Sequence, residues 1–393
     1  MERLWTKSFI LMTAGTLLLF TGFYLLLPTL PLFIKKLGGN EAQVGMVTGA
    51  FMLSAVIFRP VVGVLLDRFG RRPFIVWGLI LFALAIYMYD WAGGIAVLIW
   101  IRIAHGMSWA VSTTALFTAA TDMIPSTRRG EGMGWFGTAT TLAMAVGPIF
   151  GIWIIQHLSY SALFLSAAVF SVVALLLTFG AKIPYQPLKR TARIELFEKS
   201  VFPVTAAVFF LTIAYGGITT FVPLLASSVN VNSGTFFLVY AATLFLFRPI
   251  AGKLSDRYGE AFVIIPSLII TMLALIVLSF STGLFGMLAS AVLYGIGFGS
   301  AQPTLQAATI RLAHPERRGG ANASLLTATD LGIGLGAIVL GWVSQHTSYQ
   351  VLFTVSAASV AFSLLLFIFF VKHLLKNKGL HSQKDTALPS EPN

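Results

Sequence analysis

Apolar runs about as long as a bilayer is thick recur along the chain, each closed by a small cluster of charge, glycine or proline. They fall at roughly 8–34, 42–66, 73–92, 94–123, 131–155, 159–181, 200–228, 235–254, 261–281, 284–311, 320–345 and 348–371. About 20 apolar residues suffice to cross the hydrocarbon core as a helix, so the pattern predicts an all-α membrane protein with twelve transmembrane helices. One long polar interruption, at 182–199, carries Pro184, Pro187, Lys189, Arg190 and Arg193 and divides the runs six and six. The organisation expected is a six-helix bundle over 1–181, a cytoplasmic linker over 182–199, a second bundle over 200–372, and a polar, disordered cytoplasmic tail over 373–393.

Composition agrees. Of 393 residues, 57% are hydrophobic and only 10% charged, against about 25% charged in soluble domains, which leaves no room for a sizeable water-soluble domain. The run beginning near Phe9 is too long for a signal peptide and reads as a retained first helix. With no cysteine in the chain, thiol catalysis, thiolate metal sites and disulfides are excluded. The net charge of +12 would suggest nucleic acid in a soluble protein, but the bases are topological. One set of loops holds Arg68, Arg71, Arg72, Arg128, Arg129, Arg190, Arg193, Lys253, Arg257, Arg317 and Arg318, whereas the opposite set holds little beyond Lys35 and Lys36. Short cytoplasmic loops are the basic ones, so both termini are expected in the cytoplasm, with the protein in a bacterial plasma membrane and no nucleic-acid partner.

The chain repeats itself. Arg59-Pro60-Val61-Val62-Gly63-Val64-Leu65-Leu66-Asp67-Arg68-Phe69-Gly70 returns as Arg248-Pro249-Ile250-Ala251-Gly252-Lys253-Leu254-Ser255-Asp256-Arg257-Tyr258-Gly259, from 59 to 248, an offset of 189 positions. At that offset Gly106 meets Gly295, Arg128-Arg129-Gly130 meets Arg317-Arg318-Gly319, and Gln156-His157-Leu158-Ser159-Tyr160 meets Gln345-His346-Thr347-Ser348-Tyr349. Two parallel six-helix halves resemble the architecture of the major facilitator superfamily of secondary transporters. The loop Gly63-x-Leu65-x-Asp67-Arg68-x-Gly70-Arg71-Arg72 matches that family's motif between helices 2 and 3. The second copy keeps Gly252, Asp256, Arg257 and Gly259 but has Glu260 and Ala261 in place of the last two arginines. The resemblance covers the whole chain apart from its tail and implies the major facilitator fold.

It also implies a cytoplasmic gate. Gly63 and Gly252 are expected to allow close helix approach, and Asp67 or Asp256 to sit at the electropositive N-terminus of a helix in the opposite half. That contact would latch the cytoplasmic side while the cavity faces outward; alternatively these charges fix topology alone. Asp122 is placed to pair with Arg68 or Arg71. In helix 5, Gly147-Pro148-Ile149-Phe150-Gly151 resembles the antiporter element of drug and metabolite exporters, although Ala143 and Ile152 stand where the fuller pattern has glycine.

Asp330 is the one acidic residue read as lying well inside a span, and Arg102 the one basic residue. A carboxylate at that depth costs about 2.5–3.5 kcal/mol on insertion scales and marks a functional site by default. Asp330 is therefore expected to carry protons or meet substrate, the alternative being a structural hydrogen bond to Thr327, Thr329 or an adjacent helix. Arg102 lies in a stretch resembling the family's helix-4 pattern, which the resemblance links to proton coupling, and is expected to serve coupling or substrate recognition. It needs an anion, carbonyls or water, the alternative being that it snorkels to the external surface. His105, one turn on, is either a second proton carrier or a structural histidine. All three break the repeat, facing Thr141, Ala291 and Tyr294 at the offset. Cavity lining is expected from Tyr24, Trp109, Phe117, Trp135, Tyr215, Tyr240, Gln302 and Gln306, a mixture suited to an amphiphilic organic molecule.

The chain has no phosphate-binding loop. The expectation is a monomeric, non-enzymatic, proton-coupled exporter of small amphiphilic compounds, embedded in lipid and without cofactor or metal. The alternatives are a proton-coupled uptake symporter for a sugar or metabolite and, from another class, an intramembrane enzyme or lipid-handling protein.

Overall fold

The computed structural model describes residues 4–125, 128–183, 198–313 and 318–376. Among them lie twelve helices long and apolar enough to cross a membrane. The first six are α1 (Lys7–Lys36), α2 (Glu41–Phe69), α3 (Arg72–Tyr87), α4 (Ile95–Met123), α5 (Arg129–His157) and α6 (Tyr160–Phe179). The second six are α7 (Phe202–Ser228), α8 (Ser233–Tyr258), α9 (Glu260–Ser279), α10 (Leu284–Leu312), α11 (Arg318–His346) and α12 (Tyr349–Leu366). Most of the expected linker (184–197), most of the tail (377–393), and the side chain of Asp67 lie outside the described residues.

Local sequence sets the helix ends. Ser159 and Ser348, equivalent in the repeat, cap α6 and α12 by accepting from the backbone N–H groups of Ala162 and Val351. Asn40 and Gln43 form a reciprocal capping box at the start of α2. The two loop motifs end α2 and α8 on Gly70 (φ 84°, ψ 169°) and Gly259 (φ 87°, ψ 159°), a region of backbone space essentially reserved for glycine. Large apolar side chains such as Trp77, Trp100, Leu176 and Phe285 are exposed on the outside, as expected of a surface that meets lipid.

Within the first half α1 packs on α5 and α6, and α2 on α4; within the second α7 packs on α11 and α12, and α8 on α10. The halves meet along α2 against α11, α5 against α8, and α1 against α7. Along α2 and α11 the contact is backbone-close at the end away from the termini. A Cβ on Gly45 would overlap the carbonyl of Ala337, and one on Gly341 would stand 2.7 Å from the carbonyl oxygen of Glu41. Nearby, Gln345 Oε1 accepts from the Glu41 backbone at 3.1 Å, and Asn232 donates to Gln156 across α8 and α5 at 3.2 Å.

Toward the termini the same helices diverge. Gly63 and Gly252, one turn beyond Arg59 and Arg248, have no atom of the described residues within 4 Å of a would-be Cβ. Among the described residues the close approach expected of these two glycines is therefore not made here: α2 and α11 touch at the end opposite the termini, and Gly63 and Gly252 stand clear at the other. The glycines that bring the halves together in this state are Gly45, Gly49, Gly334 and Gly341.

Candidate functional site

At the point where α2 and α11 begin to part, Arg59 reaches across the seam to Asp330. Its Nε donates to Oδ2 at 2.8 Å and its Nη2 lies 2.7 Å from the same oxygen. Nη1 donates to Thr113 Oγ1 on α4 at 3.1 Å. Both charged side chains are nearly buried, at 13% and 11% exposure. The guanidinium is thus anchored in the first half while its charge is answered from the second. A base deep in the seam, in addition to Arg102, corrects the expectation that Arg102 stands alone inside a span: Arg59 lies nearly three turns before the end of α2, and its long side chain reaches partners on α11 and α4.

The second copy of the motif does the same with a different partner. Arg248, equivalent to Arg59, crosses from α8 to α5 and donates through Nη1 to Thr141 Oγ1 at 2.8 Å. Thr141 is the equivalent of Asp330. The two seams therefore carry one arrangement, an arginine reaching across to the opposite half, with a carboxylate receiving it on one side and a hydroxyl on the other.

Arg102 and His105 lie elsewhere, inside the first half. Arg102 donates to the Val47 carbonyl and to Tyr89 Oη, each at 3.3 Å, and sits 4.1 Å over the Phe51 ring. Tyr89 Oη is 2.6 Å from His105 Nδ1. Since Tyr89 accepts from Arg102, its own proton is free for the imidazole. The rings of Phe51 and Phe82 enclose the histidine edge-on. Arg102 is satisfied by a carbonyl, a phenol and an aromatic face, while Asp330 has Arg59; the structure does not bring Arg102 and Asp330 together.

The loop-motif charges are partly paired. Arg71 Nε meets Asp122 Oδ2 at 2.9 Å. At the equivalent positions of the second half the signs are exchanged: Arg311 binds both carboxylate oxygens of Glu260 at 2.8 and 2.7 Å. Arg68 and Arg257 lie over the rings of Phe69 and Tyr258, and Asp256 is exposed. In α5, Pro148 is flanked by Gly147 and Gly151, which let α1 approach so closely that Cβ atoms there would overlap Tyr24 and the Leu25 carbonyl. Gly336, equivalent to Gly147, performs the same service for Ile213 of α7 without a proline. His157 and His346 bind the carbonyls of Trp153 and Trp342 and lie against those rings, an arrangement of helix-end packing.

The expected lining residues separate into groups. Tyr24 and Tyr215 interact across α1 and α7. Tyr215 stacks on Phe298, and Tyr240 borders Tyr294. Trp109 is buried on Phe23 at 4.3 Å, Phe117 meets Phe136 edge-on, and Trp135 is half-exposed against Trp5. Gln302 is half-buried and Gln306 exposed on α10.

The sequence matches the family model described as Major Facilitator Superfamily over residues 12–239 and 204–390. It is 26% identical over 348 residues to an uncharacterised MFS-type transporter of Methanocaldococcus jannaschii. It is likewise 26% identical over 364 residues to the staphylopine export protein of Staphylococcus aureus, and 24% identical over 356 residues to the quinolone resistance protein NorA of that organism. Each alignment covers 85% of this chain and 89% of the relative. In fold it resembles a crystallised variant of the nucleoside transporter NupG, with a TM-score of 0.74 at 17% identity, over 92% of this chain and 98% of that one. It also resembles an inward-facing, occupied bacterial homologue of the lysosomal transporter Spinster, with a TM-score of 0.73 at 15% identity, over 97% and 98% of the two chains.

Proposed function

This chain belongs to the major facilitator superfamily, and from that premise we propose that it is a proton-coupled exporter of small amphiphilic organic compounds in which the Arg59–Asp330 pair is the coupling switch. It is an integral membrane transporter of a small-molecule substrate rather than an enzyme. The observation that carries the proposal is a nearly buried ion pair joining the two halves where their helices diverge. Export is supported by the relatives named for staphylopine export and quinolone resistance and by the Gly147-Pro148-Gly151 element of α5.

The chemistry runs through one carboxyl. Ionised Asp330 holds Arg59 and with it α2 against α11, which keeps the side opposite the termini shut and the termini side open to substrate. A proton on Asp330 removes the negative charge, and Arg59 falls back on Thr113 and Thr114. A substrate that draws Arg59 or Asp330 away releases the seam equally well. A carrier whose seam is released by proton or by substrate exchanges one for the other, which is antiport. When the halves rock, Gly63, Gly252, Asp67 and Asp256 become the closing contact of the cytoplasmic side, and the termini then lie in the cytoplasm of a bacterial cell as the loop charges require.

The test is transport into inverted membrane vesicles. Wild-type protein should accumulate substrate when the lumen is acidified, and Asp330→Asn, near-isosteric but unable to titrate, should insert normally and lose gradient-driven accumulation. Full accumulation by that variant would remove Asp330 from coupling; accumulation only in right-side-out vesicles under an inward proton gradient would make the protein a symporter.

A further inference from the structure

The two seams carry unequal charge. Arg59 is neutralised by Asp330, whereas Arg248, at the equivalent place between α8 and α5, has the Thr141 hydroxyl as its hydrogen-bond partner and no ion-paired carboxylate among the described residues. Removing one member of a buried ion pair leaves an uncompensated charge that costs several kcal/mol. The second half is built with that vacancy from the start, and a mid-depth guanidinium without a counter-ion is a standing site for an anion.

The surroundings add a shape to the charge. Tyr24 and Tyr240 stand within electrostatic reach of Arg248. Beyond them lies a buried stack of rings: Tyr215 stacks on Phe298 at 4.8 Å and 6°, Phe298 on Tyr294 at 5.3 Å and 7°, and Tyr294 borders Tyr240 at 5.5 Å. The hydroxyls of Tyr240 and Tyr294 are fully buried with no hydrogen-bond partner. Buried phenols almost always find one, and an orphaned O–H gains most when an acceptor arrives. A planar guanidinium presents paired donors that match a carboxylate, and parallel rings suit an aromatic body.

We propose that Arg248, Thr141 and the orphaned hydroxyl of Tyr240 form the subsite for the carboxylate of an aromatic organic acid, whose ring extends the Tyr215–Phe298–Tyr294 stack at one end. The proposal rests on the transport reading for its biological meaning, since it names the class of compound carried. Anion binding itself is independent of that reading.

The experiment uses the full-length protein in lipid nanodiscs and two matched probes, 2-naphthoate and the uncharged 2-naphthamide, with binding measured calorimetrically without a proton gradient. Wild-type protein should bind the acid at least tenfold more tightly than the amide. Arg248→Gln should abolish that preference while leaving amide binding within a factor of three, and Tyr240→Phe, which removes only an oxygen, should reduce it several-fold with an unchanged melting temperature. Equal affinity of wild type for acid and amide overturns the proposal, as does a preference that survives Arg248→Gln. Should Arg248→Gln fold poorly, Tyr240→Phe decides: an undiminished preference there overturns the subsite. Stabilisation by chloride as strong as that by naphthoate would make Arg248 a counter-ion site and also overturn it. If naphthoate binds through Arg248 but is not moved by energised vesicles, the transport reading fails and the subsite stands; if neutral compounds alone are exported, the reverse holds.

Discussion

Arg59 gives up water for two interactions of different kinds, an ion pair with the opposite half and hydrogen bonds to its own. Removing either end of the pair alone should therefore be worse than removing both. Arg59→Gln leaves the Asp330 carboxylate buried without its cation and should destabilise the protein by about 3–5 kcal/mol, seen as a lowered melting temperature in detergent. Combining Arg59→Gln with Asp330→Asn should recover most of that loss without restoring gradient-driven transport; a double variant no more stable than the single would show that the pair is not what Arg59 contributes. Arg102 is expected to behave differently. Its partners are Val47, Tyr89 and Phe51 of one half, so Arg102→Ala should lower stability while the protons moved per substrate by each folded molecule stay unchanged. A fall in that ratio at unchanged stability would return Arg102 to the coupling machinery.

Asp330 is conspicuous in the sequence because a carboxylate far inside an apolar run has no cheap structural excuse. Its partner is less so: Arg59 is visible as the first residue of a repeated motif, but its nearness to the basic loop disguises it as a topological charge. The repeat contains the missing signal. Arg59 and Arg248 share one offset, and so do Asp330 and Thr141, which marks two equivalent crossings before any coordinates are known. Which arginine meets which partner depends on how the halves dock, and periodicity within a helix carries no such information.

Between helices, the decisive feature is backbone proximity. Gly45 and Gly49 on α2 face Gly334, Ala337 and Gly341 on α11, and every Cβ added there meets main chain or a packed side chain. Gly45→Val should wedge this end apart, shifting the population toward the state open away from the termini. Because the chain has no native cysteine, paired spin labels on introduced cysteines report the shift directly; an unaltered distance distribution would mean that the crossing tolerates bulk. On α5, Gly151 lies against the Leu25 carbonyl, whereas its equivalent in the second half is Leu340. Gly151→Leu should therefore fail to imitate the other half, costing about 1–3 kcal/mol through overpacking, measurable as a loss of thermal stability. The twelve runs and their six-and-six division were legible because apolar length and punctuation act locally. The glycines that touch in this state were not, because small residues line both ends of α2 and the sequence does not record which end is closed.

Taken as a whole, the molecule repeats itself, and its asymmetries fall at the seams between the halves. Arg71–Asp122 and Glu260–Arg311 preserve an ion pair with its signs exchanged, so the loop ends are braced alike in both halves. By contrast, Arg59–Asp330 and Arg248–Thr141 preserve the reach but not the charge, which leaves a carboxylate in one seam and a hydroxyl in the other. Under the proposed coupling, rocking of the halves is governed from the α2–α11 side.

Spin labels at Phe69→Cys and Tyr258→Cys, exposed at the terminus-side ends of α2 and α8, measure the separation of the halves on that side. Acidification should shorten the wild-type distance as Asp330 is neutralised and the termini side closes, and Asp330→Asn should show the short distance at every pH. A distance in Asp330→Asn that still follows pH as the wild type does would contradict the assignment of this carboxyl as the switch.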